Sequence, residues 1–571
     1  MGANSNYICD VLVVGSGAGG MATAIVAKKR GLRVLVVEKQ PVFGGSTALS
    51  GGWMWVPCSP LAERAGIKDS KAEARRYLQY EAGNHFDARR IDAFLDNGPE
   101  MVRFFEAETD VKFNLGMIPD YHAESPGATS AGRPIGPQPF DARQLGDRAK
   151  LLAPPIRGMT FVGLMFGSGP DMRHFMNALK SGASFWYTAK RLAGYAVDLL
   201  THGRNMKLFN GAALAARLHK TAMDIDIPVW LNAPVRDLIF ENGEVRGAVV
   251  DKDGVETIVR TSRAVVLATG GFPHDLKRRK EVFPHQPDPE EHISMAPEGN
   301  AGDGIALAEA VGGRTDMSFP NVGSWMPVSR VPLKRGGSTK VLHIMDRGKP
   351  GMISVRSDGK RFANEGANYH DFGGEMVKDG RSREQKMYII GDHKAVRTYG
   401  IGFAKPFPVP LGPYLKSGYL IKGNSIAELA RNAGIDPAQL ERTVSEFNDN
   451  ARWGVDAEFG KGEKIYERFQ GDATHGPNPC VGPLEHGPYY AVRMLPGDIG
   501  TFGGLKTDEL GRVLKDNDRP VIGLHAVGND MASIFGGAYP GGGATLGPAM
   551  TFGFIIGNYL ASKDTAEMAA C

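Results

Sequence analysis

Cysteine is scarce in this chain: Cys9, Cys58, Cys480 and Cys571 are the four in 571 residues, and they lie far apart. With no CxxC pair and no Cys/His spacing of the zinc-holding kind, a disulfide scaffold and a thiolate metal site are excluded. This usage fits a reducing compartment, and a cytoplasmic location is the expectation. Long apolar runs are also missing, since none reaches the ~20 residues of a membrane-crossing helix. The first apolar run, Ile8 to Val14, lacks a basic leader and a cleavage site, so it is not read as a signal peptide. Charge of one sign is not concentrated either: 67 Lys and Arg stand against 63 Asp and Glu, without a basic block suited to nucleic acid. The nearest candidate for surface attachment is residues 185–200, where Phe185, Trp186, Leu192, Tyr195 and Leu199 share part of a helical face beside Lys190 and Arg191. A packing helix is the expectation there, and peripheral membrane contact is the alternative.

What the chain has in abundance is glycine, 75 residues in all, and glycine placement carries the reading. "DVLVVGSGAGGMATAIVAKKRGLRVLVVEK" is an apolar strand, a glycine turn, an Ala-rich helix and a second apolar strand ending in an acid. That is a complete βαβ unit for a dinucleotide. Gly15 permits the tight turn, Gly17 lets backbone approach a pyrophosphate, Gly20 lets helix pack on strand, and Glu38 is placed to accept from a ribose. Two further short strands enter glycine turns, in "SRAVVLATGGF" (262–272) and "HAVGND" (525–530), and "GGSTALSGGWMW" (44–55) supplies hydroxyls and glycines. Nucleotide-facing segments spread over the whole chain suit a long, permanently held cofactor, FAD, better than an exchanging NAD. At this length at least two domains are expected.

Four stretches are more specific: "PDYHAESPGA" with Tyr121, "GKRFANEGANY" ending at Tyr369, "YYAVRMLPGDIGTFGGLKTDELGRVL" from Tyr489, and "GGAYPGGGATLGPAMTFG" with Tyr539 and Gly543. In these the sequence resembles the flavoproteins related to fumarate reductase, and within them the 3-ketosteroid Δ1-dehydrogenases, from about Asp10 to the 550s. The chain departs from that family at His122, in place of a second aromatic, and at Asn368 and Gly542, where proline is common.

The resemblance implies an α/β fold with a discontinuous Rossmann-like FAD-binding domain, 1–320 and 498–571, and an inserted α+β catalytic domain, 321–497. It implies noncovalent FAD met by Gly15, Gly17, Ala18, Gly20, Glu38, Lys39, Gly45, Ser46, Thr47, Ser50, Gly51, Gly52, Val235, Ala268, Gly270, Gly528, Asn529, Thr545 and Leu546. No histidine lies in "GGSTALSGG", where related flavoproteins attach the ring covalently. The helix starting near Thr545 would turn its positive end toward the flavin. The substrate implied is a 3-ketosteroid, with Tyr369 as the base at C2, Tyr121 assisting it, and Tyr539 with the Gly543 N–H polarising the ketone; the electron acceptor is left open. Segment 157–175 is expected to shape or lid the pocket, and 425–454 to be helical with Ser425 as N-cap. A C4–C5 steroid dehydrogenase, a reductase of an unsaturated dicarboxylic acid and a flavin-holding sensor without turnover are the alternatives.

Overall fold

The computed structural model describes residues 5–562 apart from 168, 179–180, 335 and 379–384, so Cys571 lies outside the described residues. Strand β1 (Ser5–Val14) pairs in parallel with β2 (Val34–Val37), Val11 opposite Val34, and the crossover is helix α1 (Ala18–Lys29). Val11 to Val14 and all of β2 are buried, as strands of a sheet covered on both faces must be. A long excursion carrying α2 (Lys71–Ala82) and α3 (Gly182–His202) returns at β3 (Val229–Trp230), parallel to β2. Then β4 (Val235–Glu241), β5 (Glu244–Lys252) and β6 (Val255–Leu267) form an antiparallel meander, and β6 re-enters the sheet parallel to β1, Val14 opposite Leu267.

Helix α3 corrects the expectation of a packing helix at 185–200. Its buried residues are Ser184 and Asp198, while Trp186 is 72% and Leu200 87% exposed. Asp198 is buried because Arg143 pairs with it and it accepts the Met206 N–H at 2.9 Å, so polar anchoring replaces apolar packing. Segment 157–175, which includes the undescribed residue 168, lies against the edge of a second sheet: the Gly158 N–H donates to Thr339 Oγ1 at 3.2 Å. No helix among the described residues is long and apolar enough to cross a membrane.

The second sheet is built from β7 (Gly323–Pro332), β8 (Ser338–Leu342), β9 (Met352–Arg356), β10 (Met387–Asp392), β11 (Ile421–Gly423) and β12 (Tyr489–Thr501). Its order is β8-β7-β12-β10-β9, with β11 also on β12. Helix α4 (Tyr369–Val377) packs on β7 and is capped by Asn368, whose Oδ1 accepts the N–H groups of His370 and Asp371 at 3.0 Å each. A cap of this kind contributes about 1 kcal/mol. The helical stretch expected from Ser425 is two helices, α5 (Ile426–Ala433) and α6 (Pro437–Ala451): Ser425 does cap α5, but Gly434 ends it at φ +70° and Asp436 starts anew with Pro437 behind it. Helix α7 (Ile465–Gln470) follows.

The chain then returns to the first sheet with β13 (Arg512–Leu514) and β14 (Pro520–Ala526). β14 lies parallel to the end of β6, Val265 opposite Leu524, where β5 no longer covers it. The last helix, α8 (Leu546–Ser562), packs on α1 through glycines. A Cβ on Gly553 would lie 2.7 Å from Gly19 O, and one on Gly557 2.7 Å from the Val26 Cβ. Contacts that advance together along both chains make the helices parallel, with both N-termini at one edge of the sheet.

Candidate active site

At that edge the backbone forms a cradle. Gly15 has φ +115°, and a Cβ there would lie 2.2 Å from Ala268 O, so no other residue fits between β1 and the end of β6. Gly20 is similarly closed, 2.3 Å from Gly15 O. Gly17 and Gly45 differ: a Cβ would meet nothing nearer than 3.7 Å at the first and 3.8 Å at the second, and Gly528 faces open space. Glycine at those three points keeps the edge clear for a ligand. Thr47 Oγ1 accepts the Ala18 N–H at 2.9 Å, fixing the 45–49 turn over the start of α1. Glu38, at the end of β2, accepts from Ser16 N and Ser16 Oγ at 3.1 and 2.7 Å and from Gln40 N at 3.0 Å, which leaves a lone pair for a further donor.

The other expected cofactor residues surround this cradle. Ser46 Oγ accepts from Asn300 Nδ2 at 2.9 Å, and Ser50 Oγ donates to Thr47 O at 2.8 Å and accepts the Gly52 N–H at 3.0 Å, beside Gly51. The Ala268 N–H donates to Val14 O at 2.8 Å, and Gly270 follows at φ +94°. Gly528, Asn529 and Thr545 line one cleft with Thr501, Phe502 and Ala544, just before α8 begins at Leu546. The Lys39 ammonium pairs with Asp303, and Val235 starts β4 two residues beyond Ala233, whose N–H donates to Glu38 O at 2.9 Å. An anionic dinucleotide fits this edge, where two helix N-termini converge on a clear surface.

Four tyrosines close on one another above the cleft. Tyr121 and Tyr369 are edge to face with ring centroids 5.5 Å apart, Tyr369 and Tyr539 at 5.3 Å, Tyr121 and Tyr539 stacked at 5.6 Å, and Tyr466 lies 4.5 Å from Tyr121. All four are buried. Each comes from a different segment, and specific bonds bring them together. The Tyr121 N–H and the Tyr77 hydroxyl both donate to Pro540 O, at 3.0 and 2.7 Å, which ties the Tyr121 loop to the loop of Tyr539. His370, next to Tyr369, donates from Nε2 to Gly537 O at 3.2 Å and accepts the Trp325 N–H at Nδ1, 3.1 Å. This is the neutral tautomer, and burial pushes its pKa down to about 4.

Glycine at 543 is required by space, since φ is +98° and a Cβ would lie 2.4 Å from Trp53 O. Its N–H, the Thr545 side chain and Tyr369 all lie close enough to the Tyr539 hydroxyl to favour its phenolate, although burial wins and raises its pKa. At Gly542 a Cβ would meet only the Tyr121 hydroxyl, at 3.8 Å, so the space beside that hydroxyl is open. Burial raises the pKa of Tyr369 well above the ordinary tyrosine value, and the nearby Tyr539 raises it further. Tyr121 acts in the opposite direction, favouring the phenolate. A hydroxyl and a side-chain-free stretch of backbone therefore stand together, next to a tyrosine whose phenolate form a second tyrosine favours.

Tyr466 was not marked by the sequence, because "EKIYERFQ" carries no glycine signal. Its link is indirect. Asn364, in "RFANE", donates to Glu467 Oε1 at 2.9 Å, while Arg361 pairs with Glu365 at 2.8 Å and Asp456 at 2.6 Å in full burial. The "RFANE" stretch is thus a frame that holds Tyr369 on one side and Tyr466 on the other. Among the described residues no group of His, Cys, Asp or Glu could hold a metal ion.

The fold and its cradle define a flavoprotein oxidoreductase. The chain belongs to the FAD binding domain family, whose model matches residues 10–546, and FAD is its cofactor. It is 41% identical over 570 residues to the 4-oxocyclohex-2-ene-1-carboxylate 5-dehydrogenase of Sinomonas cyclohexanicum, covering 99% of this chain and 95% of that protein. It is 37% identical over 575 residues to the 3-oxosteroid 1-dehydrogenase of Mycolicibacterium smegmatis, covering 98% of each. The crystal structure of 3-ketosteroid Δ1-dehydrogenase from Sterolibacterium denitrificans, in complex with 1,4-androstadiene-3,17-dione, superposes with a TM-score of 0.89 at 36% identity, over 98% of this chain and 100% of that one. The α/β flavoenzyme fold expected from the sequence is the one found.

Proposed function

We propose that the protein introduces a C1–C2 double bond into 3-ketosteroids, at an interface between an FAD-binding domain (1–320 and 498–571) and a catalytic domain (321–497). The observation that carries this is the buried meeting of Tyr121, Tyr369 and Tyr539, their ring centroids 5.3 to 5.6 Å apart, with Gly543 on the loop of Tyr539. Tyr539 and Gly543 hold the 3-keto oxygen and stabilise charge as it develops there, each such donor being worth 10² to 10³ in rate. Tyr369 removes the C2 proton, and Tyr121 stabilises the phenolate that does so. FAD, when bound, supplies the acceptor for the hydride from C1. Gly15, Gly17, Gly20, Glu38 and Thr47 hold it, and the start of α8 directs positive dipole toward it. Anaerobic addition of androst-4-ene-3,17-dione tests the reading: bleaching of the flavin with formation of the 1,4-diene supports it, and no bleaching with any 3-ketosteroid overturns it.

The 41% identity to a dehydrogenase of a cyclic keto acid supports a second reading, in which the same tyrosines act on a small cyclohexenone bearing a carboxylate. Two cations beside the cluster bear on the choice. Arg347 donates to the carbonyls of His343, Glu365 and Ala367, and His122 lies between Glu81 and Asp371. Neither is offered to a substrate carboxylate, which favours the neutral ketone. Parallel assays with 4-oxocyclohex-2-ene-1-carboxylate and the steroid separate the two by kcat/KM.

A further inference from the structure

We propose that His122 is a positioning residue, locking the loop that carries Tyr121 to the helix that begins at Tyr369. Tyr121 and Tyr369 must keep their edge-to-face placement, 5.5 Å between ring centroids, although they belong to separate segments of the chain, and a misplacement of about 1 Å can cost roughly 100-fold in rate. His122 directly follows Tyr121, and its ring spans two helices: Nδ1 is 2.7 Å from Glu81 Oε2 on α2, and Nε2 is 2.7 Å from Asp371 Oδ2 on α4. Both ring nitrogens face carboxylates, so both must be donors, which only the imidazolium provides. The same Asp371 Oδ2 accepts from Asn368 Nδ2 at 2.8 Å, and Asn368 is the cap of α4.

His122 and Asn368, each one residue from a tyrosine of the pair, thus converge on one carboxylate oxygen. Burial opposes charge on His122, yet the bonds to Asp371 and Glu81 prevail and hold its pKa up to about 10. Of the other titratable groups near Asp371, His370 stays neutral at ordinary pH, and burial keeps the Tyr466 hydroxyl protonated. The clamp therefore persists across the physiological range. It joins α2, the Tyr121 loop and α4.

The kinetic test rests on the ketone-dehydrogenase reading above and uses the FAD-loaded enzyme with androst-4-ene-3,17-dione. His122→Gln and Asp371→Asn are each expected to lower kcat about tenfold or more, with KM within about twofold and flavin content unchanged. The double variant should be no slower than the worse single one, because both break one contact. A single variant with correct flavin content that keeps more than half of the wild-type kcat overturns the proposal. If the wild type is inactive on the steroid, it is the steroid reading that fails, and the same variants are compared on 4-oxocyclohex-2-ene-1-carboxylate. A second measurement needs no turnover: in holoenzyme labelled with 13C-histidine, the signal lost in His122→Gln should titrate above pH 9, and should move toward 6.5 in Asp371→Asn. Titration near 6.5 in the wild type overturns the clamp.

Discussion

Tyr121 stands edge to face against Tyr369, their rings set 81° apart, and it favours the phenolate of Tyr369 against burial and Tyr539. Because the Tyr369 pKa lies above the ordinary value, its phenolate fraction grows about tenfold per pH unit across the neutral and mildly alkaline range. The expected profile is log kcat/KM rising with a slope near one from pH 7 to 9. In Tyr121→Phe the rate at pH 7 should fall about tenfold or more with KM little changed. A flat profile in the wild type would assign proton removal to another group.

Tyr369→Phe should abolish turnover while flavin content and steroid affinity remain, since a base acts in the transition state and adds little to ground-state binding. Equilibrium titration of the variant with steroid, beside steady-state kinetics, checks both halves. Retention of most of the kcat would reduce Tyr369 to a pocket wall.

Tyr539→Phe should lower kcat by about 10² or more and raise KM less. Solvent exchange of the substrate's C2 hydrogen isolates the step, because enolisation needs the ketone donor whereas hydride loss follows it. Exchange at the wild-type rate without flavin reduction would mean that the loop serves the cofactor alone.

Acid precipitation should release the yellow colour into the supernatant, as noncovalent FAD requires. Colour retained in the pellet would show a covalent link.

Stability should fall as pH drops from 6.5 toward 4. His370 stays neutral in the folded protein down to about 4, but the unfolded chain takes up its proton near 6.5, so between those values the unfolded state binds more protons. The loss reaches about 3 kcal/mol for His370, and buried His219 and His525, also pushed down to about 4, add in the same window. Urea midpoints at pH 7 and 4.5 should differ less in His370→Gln than in the wild type.

The sequence disclosed what has a local signature. The βαβ unit was legible because its glycines, its apolar strands and Glu38 all recur at fixed spacing, and the glycine loop of Tyr539 because only glycine fits at Gly543. Tyr466 was not legible, since it reaches the site through α7 and the buried Arg361–Glu365–Asp456 frame, which are long-range contacts. His122 was visible as a departure, but its partners Glu81 and Asp371 meet it only through tertiary packing. Helix α3 was misjudged for the opposite reason: its apolar residues share a face, yet Arg143 and the Met206 amide fix its orientation through Asp198 and turn that face outward.

The parallel packing of α1 and α8 has an energetic side. Helices laid side by side in the same direction place two partial positive charges together at the sheet edge, an arrangement that antiparallel neighbours avoid. The glycines at 553 and 557 bring the axes close, so the repulsion is not relieved by distance. A bound pyrophosphate, the anionic part of FAD, would neutralise it. FAD would then serve as a counter-ion of the fold as well as a reagent.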